Sequence, residues 1–227
     1  MKRAKGIEVK IYLVEDHPVF RFGLKELIEQ EEDLLVCGEA EELAEALTGI
    51  EEKKPDMVIV DVALKGRNGL DLVKTLGERR PGLPILVLSM HEESIYAERA
   101  LRAGALGFIM KHEAADKIIT AVRSVLAGGV YLSDKMKSAL IGKLARQGTI
   151  EHQVPEAQLT DREIEVFEMI GRGMTTKEIS DALFLSPKTI GTYRERIKEK
   201  LGHRNAMEMQ RHAVQWVEAN RFGKPSQ

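Results

Sequence analysis

One cysteine, Cys37, stands among 227 residues, and no window holds eighteen uninterrupted apolar residues. The first scarcity excludes an internal disulfide and any multi-cysteine zinc site. Cys37 lies in the run LLVCGEA, where a thiol behaves as a small buried hydrophobe. The second scarcity excludes a helix apolar enough to span a bilayer, so a soluble chain without a membrane partner is expected. The opening MKRAKGIEVKIYLV mixes Glu and Lys into its apolar stretch and lacks the apolar core and small-residue cleavage site of a secretory signal. A cytoplasmic location is the corresponding expectation. Internal repeats and low-complexity tracts are also absent.

What is present is ample apolar material, 43% of residues, enough for two modest domains with proper cores. The net charge of −2 hides an asymmetry. Residues 1–131 carry 18 basic and 23 acidic side chains, residues 158–227 carry 12 and 10, and residues 187–204 carry 6 and 2. Any nucleic-acid contact is therefore expected in the C-terminal part.

Along residues 7–131 the short apolar runs VKIYLV, LLVCGE, MVIV, PILVL and LGFIM alternate with amphipathic stretches. That alternation predicts an α/β domain with a parallel sheet covered on both faces. Ligand chemistry in such sheets sits beyond the carboxyl ends of the strands. Asp16 follows the first run, Asp61 the third, Ser89 the fourth and Lys111 the fifth. Residues 132–157 change character: Met136, Leu140, Ile141 and Leu144 suggest one helical stripe, and the remainder, with Gly148 and Pro155, reads as a linker. Residues 158–222 hold four helical segments. Thr160 with Glu163 forms a capping box, the Gly171/Gly173 pair ends the first helix, and Thr176 leads into the second. Ser186 and Pro187 open the third helix, and Asn205 with Glu208 opens the fourth.

Three carboxylates, Glu15, Asp16 and Asp61, at neighbouring strand ends repel one another and raise one another's pKa unless a cation intervenes. Magnesium answers that requirement, because it takes oxygen ligands from one or two carboxylates and from phosphate. Asp61 then qualifies as a nucleophile toward a phosphoryl group, with Lys111 as a point charge and the Ser89 hydroxyl as a donor to the phosphoryl oxygens. His17 is better read as part of an HP helix start than as a metal ligand.

VEDHP, the strand-end Asp61 followed by VALKGRNG, Ser89 and Lys111 together resemble the receiver domain of two-component response regulators. With the C-terminal segment the chain resembles the NarL/FixJ group, whose DNA-binding part is LuxR-type. The resemblance implies a flavodoxin-like (βα)5 receiver with strand order 2-1-3-4-5, followed by a small all-α four-helix helix-turn-helix domain. It implies Asp61 as the phosphoacceptor of a sensor histidine kinase. It implies magnesium held by Glu15, Asp16, Asp61 and the backbone carbonyl of Ala63, and Ser89 with Phe108 as a switch pair. The sequence departs from the family at Lys65 and His112, where proline is frequent, and at Phe108, where many relatives carry tyrosine.

TTKEISDALFLSPKTIGTYRERIKEKLG reads as helix, turn, helix, with the second helix basic. The second helix of such a pair enters the major groove. Ile190, Ile197 and Leu201 form its buried stripe and leave Lys188, Gly191, Thr192, Glu195 and Lys198 facing solvent. Lys188, Tyr193, Lys198 and Lys200 suit phosphate contacts. By resemblance Gly191, Thr192 and Glu195 take base-reading positions, and Thr189 belongs to the same DNA-facing set. Glu195 is the informative departure, since a carboxylate only accepts, most naturally from cytosine N4. In the last helix Met207, Val214 and Val217 are read as core or as a dimer surface, and Trp216 as packing.

The expected function is a DNA-binding response regulator, not an enzyme, in which phosphorylation of Asp61 modulates dimerisation and transcription. The expected partners are a sensor histidine kinase, double-stranded DNA and a second copy of the chain, with RNA polymerase admitted as another. Two rivals stand beside it. One is a DNA-binding regulator whose receiver is an unphosphorylated interaction module. The other is a magnesium-dependent phosphotransferase, disfavoured because Ala63 stands where aspartate-based phosphatases place a second Asp.

Overall fold

The structure, a computed structural model, describes residues 8–65, 67–91, 93–146 and 155–222, with side chains 143–146 and 221–222 left aside. The chain divides into two compact units, Met1–Ser138 and Ala139–Gln227.

In the first unit the apolar runs become strands β1 (Val9–Val14), β2 (Leu34–Ala40), β3 (Met57–Asp61), β4 (Ile85–Ser89) and β5 (Gly107–Met110). They form one parallel sheet in the order β2-β1-β3-β4-β5. Every residue of β3 and β4 is buried, as continuous apolar strands between two helical layers require. Helices α1 (Pro18–Glu29), α2 (Leu43–Lys53), α3 (Gly69–Arg79), α4 (Glu93–Ala103) and α5 (Ala114–Leu126) alternate with the strands. α1 packs against α5 and α3 against α4. Ile11, Leu13, Ile28, Ile59, Leu88, Ile118 and Val122 join one continuous core. Burying each such side chain is worth about 1.5–3 kcal/mol before chain entropy is charged against it.

Periodicity left two features unannounced. Ala63–Leu64 pairs with Arg67–Asn68 in a small antiparallel hairpin directly after Asp61. After α5 the chain returns along β5, where the Tyr131 amide donates to the Leu106 carbonyl and the Phe108 amide to the Tyr131 carbonyl, each at 2.9 Å.

The stretch read as partly helical linker begins with α6 (Asp134–Arg146), and the division between the units falls inside this helix. Of its expected stripe Met136 is buried, but Ile141 is 65% exposed, so the apolar face is not continuous. The side chain of Leu144 and the segment around Gly148 lie outside the described residues.

The second unit contains α7 (Asp161–Gly171), α8 (Thr176–Ala182), α9 (Pro187–Lys200) and α10 (Ala206–Phe222). α7 is the hub against which both α9 and α10 pack. A β-carbon at Gly171 would stand 2.3 Å from the Ala213 carbonyl oxygen, so glycine is what lets α7 and α10 approach. Val217 is buried in this core and Val214 half-buried, whereas Met207 is 81% exposed and is not core. Trp216 packs, as expected, with its ring 5.5 Å from that of Phe167.

Candidate functional site

The strand ends bring the acidic residues together. Glu15 and Asp16 follow β1, Asp61 ends β3, and all three are buried. Glu15, Asp16, His17 and Asp61 each offer a ligand atom, and these atoms lie within 4.8 Å of one another. Lys111, one residue beyond β5, supplies a cation. Its Nζ stands 2.7 Å from Glu15 Oε2 and 2.8 Å from Asp61 Oδ2, almost fully buried, and 4.8 Å from the centre of the Phe20 ring. The sequence reading assigned Lys111 to phosphoryl oxygens and did not anticipate that it would bridge the two carboxylates.

The Asp61 carboxyl is displaced from its ordinary value. Burial, and after it the neighbouring Glu15 carboxylate, push the Asp61 carboxyl up to about 7 against the opposing pull of Lys111. Asp61 Oδ1 is buried with no hydrogen-bond partner among the described residues. A buried acceptor of this kind is costly unless something meets it. The hard oxygen donors and this orphaned atom fit a divalent cation such as magnesium.

The loop after Asp61 is pinned by backbone. The Gly69 amide donates to the Val62 carbonyl at 2.6 Å, and Asn68 caps α3 by accepting from the Leu70 amide at 2.9 Å. A β-carbon at Gly69 would lie 1.8 Å from the Asp61 carbonyl oxygen, so only glycine permits this approach. Ala63 sits in the hairpin two residues past Asp61. His17 is the residue before α1, with Pro18 at the first helical position, and its Nδ1 lies 2.8 Å from Asp16 Oδ1 and 3.0 Å from Glu15 Oε1. It serves as the helix start and also touches the acids.

Ser89 is fully buried at the end of β4, where its Oγ accepts from the His91 amide at 2.9 Å. Phe108 is buried within β5. A residue that the sequence reading passed over is Arg21, whose guanidinium donates to the Glu15 carbonyl at 2.6 Å. The available signal was a lone charge inside the apolar stretch VFRFGL.

In the second unit the capping chemistry is as read, with one addition. Thr160 and Glu163 form the expected capping box, and Thr175 with Glu178 forms a second one ahead of Thr176. The Thr189 amide donates to the Ser186 side chain at 3.1 Å, which caps α9. Asn205 accepts from the Glu208 amide at 2.9 Å. On α9 Ile190 and Ile197 are buried, and Leu201 just past its end is half-buried; Lys188, Thr192 and Glu195 are exposed, nothing lies near a β-carbon built on Gly191, and Lys198, expected to face solvent, is half-buried. Tyr193 is half-buried, and the Thr192 hydroxyl donates to the Lys188 carbonyl at 3.2 Å. Glu195 pairs with Lys198, so its charge on this face is already countered. Lys200 is drawn to the buried Glu163 at 2.6 Å, which ties the end of α9 to α7.

A doubly covered parallel sheet with a carboxylate cluster at its strand ends, joined to a capped helix-turn-helix, defines a receiver-type signalling protein that carries a DNA-binding unit. Comparison with known proteins identifies the family. Residues 11–123 match the response regulator receiver domain, and residues 157–213 match the bacterial regulatory proteins of the luxR family. The chain is 37% identical over 194 residues to the DNA-binding transcriptional activator DevR/DosR of Mycobacterium tuberculosis, covering 86% of this chain and 88% of that protein. It is 34% identical over 201 residues to the response regulator GacA of Pseudomonas aeruginosa, covering 88% and 93%. Among solved structures, a two-component response regulator of the LuxR family from Aurantimonas superposes with a TM-score of 0.57 at 30% identity, over 61% of this chain and 99% of that one. The RcsB response regulator of Salmonella typhimurium, at 23% identity, shares the fold with a TM-score of 0.63 over 93% of this chain and 99% of its own. The chain belongs to the response regulators of the NarL/FixJ type and is a two-component, DNA-binding transcription regulator. No helix among the described residues is long and apolar enough to cross a membrane.

Proposed function

We propose that Asp61 accepts a phosphoryl group from a sensor histidine kinase and that the modified receiver controls how the α9 helix engages DNA. The observation that carries this reading is the asymmetry of the Asp61 carboxylate. Oδ2 is held by Lys111, whereas Oδ1 is buried and partnerless among the described residues. Glu15, Asp16, Asp61 and the carbonyl of Ala63 are the groups that would hold magnesium. When bound, the ion supplies neutralisation of the negative charge on the phosphoryl oxygens.

The chain's own residues do the rest. An Asp61 carboxylate oxygen attacks phosphorus, an O–P bond forms, and the bond from phosphorus to the donor breaks with its electron pair leaving on the donor. Lys111 follows the charge from the carboxylate to the new phosphoryl oxygens, and the Ser89 hydroxyl turns to donate to one of them. The phosphoryl group carries roughly −1.5 to −2 of charge, if the acyl phosphate resembles the hydroxyl phosphates, and it replaces the single charge of the carboxylate. The Ser89 hydroxyl that now accepts from His91 is thereby recruited, and Phe108 repacks as the second member of the switch.

On DNA, α9 enters the major groove. Lys188, Tyr193, Lys198 and Lys200 serve phosphates, Gly191, Thr192 and Glu195 face base edges, and Thr189 belongs to the same DNA-facing set. A homodimer is the natural reader of paired half-sites, RNA polymerase is the natural downstream partner, and the cytoplasm is the compartment. The deciding experiment treats wild type and Asp61→Asn with magnesium and acetyl phosphate. The expected result is a single phosphoryl mass gain and tighter DNA binding in wild type only; a gain or a tightening in Asp61→Asn overturns the reading.

A further inference from the structure

The acid pocket poses a mechanical problem as well as an electrostatic one. Glu15 and Asp16 repel Asp61 and sit just past the end of β1, where strand pairing no longer holds the chain. The Glu15 amide is still fixed, since it donates to the Ala40 carbonyl at 3.0 Å. The carbonyl that follows, in the peptide joining Glu15 to Asp16, is fixed by Arg21, whose Nη1 donates to it at 2.6 Å. We propose that Arg21 is the positioning residue of the acid pocket: it sets the Glu15–Asp16 peptide so that both carboxylates stay aimed at the cation site. The proposal rests on the phosphoacceptor reading above and deepens it.

The guanidinium can do this because it is itself immobilised. Arg21 is largely buried, with Nε 3.1 Å from Glu39 Oε2 and Nη2 2.9 Å from Glu41 Oε1. Glu39 is held in turn by Lys25 at 2.8 Å. A planar fork whose donors are fixed by two carboxylates presents its remaining N–H in one direction, which an ammonium on a flexible stem does not. Glu41 carries the strap further, because its other oxygen lies 3.1 Å from Lys65 Nζ in the turn that follows Asp61. One arginine and one glutamate thus connect the loops after β1, β2 and β3. Lys65, the departure from the frequent proline, acquires a role as the ionic tie of the phosphoacceptor loop, although a half-exposed pair of this kind contributes little alone.

Charge and position make opposite predictions for Arg21. A cation near a cation site repels the incoming ion, so if charge dominated, removal of Arg21 would tighten metal binding. If position dominates, removal loosens the carboxylates and metal binding weakens. Partners of ligand groups typically account for 10–100-fold in metal affinity.

The test titrates the full chain with Mn2+, following the free ion by its paramagnetic resonance, and measures phosphorylation by acetyl phosphate across metal concentration. Arg21→Ala is expected to weaken Mn2+ affinity by about 10–100-fold. Its phosphorylation should be slow at low metal and recover toward wild type at saturating metal, a recovery that lost folding would not give. Arg21→Lys, which keeps the charge and loses the fork, should remain weak. Unchanged or tighter Mn2+ binding in Arg21→Ala overturns the proposal. If circular dichroism shows Arg21→Ala unfolded, Arg21→Lys and Glu41→Gln decide it: weaker binding in both supports positioning, and wild-type affinity in either overturns it. If wild type itself neither binds Mn2+ nor takes up a phosphoryl group, it is the phosphoacceptor reading that has failed. If wild type does both and the Arg21 variants match it, only the positioning role has failed.

Discussion

His203 meets His212 at the corner between α9 and α10, with Nε2 of the first 2.9 Å from Nδ1 of the second and the rings edge-on at 5.0 Å. His212 Nε2 reaches Glu156 at 2.7 Å. Burial, then the facing His212, lowers the His203 pKa, while Glu208 and Glu156 oppose the shift. The unfolded chain therefore binds this proton before the folded one does. Stability is fully present above about pH 6.5, the ordinary imidazole value, and is lost as pH falls below it toward the depressed folded value. Thermal unfolding followed by Trp216 fluorescence should give a midpoint a few degrees lower at about pH 5.5 than at about pH 7.5, and His203→Gln should remove most of that difference. An equal difference in the variant would reject the histidine pair as the cause. The pair was not legible in the sequence, because nothing in the spacing of residues 156, 203 and 212 says that they meet. Glu15, Asp16 and Asp61 were legible, because strand ends in a parallel sheet gather at one edge and two adjacent acids have no structural reason to end a buried strand.

At the scale of elements, capping chemistry is local and was therefore readable: the side chains at Thr160, Ser186 and Asn205 all act on amides within their own helical turn. The burial of acids in α7 was not. Glu163, Glu165 and Glu168 are almost wholly buried, where helical periodicity would set them in solvent, because each meets a cation: Lys200 at 2.6 Å, Arg162 at 2.7 Å and Arg172 at 2.5 Å. The first of these partners lies 37 residues away, beyond the reach of any local pattern. The cap of α9 yields a quantitative expectation. Ser186→Ala removes the acceptor for the Thr189 amide and should cost the second unit about 1 kcal/mol, most of which Ser186→Asn should restore. Denaturant unfolding measured through Trp216 checks both variants. A Ser186→Ala loss within error of zero would mean that water replaces the cap without cost.

At the scale of the whole molecule, the sequence carries an acidic front and a locally basic stretch at 187–204, and the compact units divide inside the segment read as a linker. α6 runs through the division after Ser138, so helical pattern does not break where compactness does. Each unit buries its own core, and the single tryptophan, Trp216, belongs to the second, where it packs against Phe167. Calorimetry should therefore resolve two transitions, only one of which coincides with the loss of Trp216 signal. The cation site lies wholly in the first unit, so magnesium at about a hundredfold excess over its dissociation constant should stabilise that unit by about 2.7 kcal/mol. Its midpoint should rise by several degrees, while the Trp216 transition stays in place. The pattern separates two kinds of error. If neither transition responds to magnesium, the acid pocket does not bind the ion, and if both move together, the two cores unfold as one cooperative body.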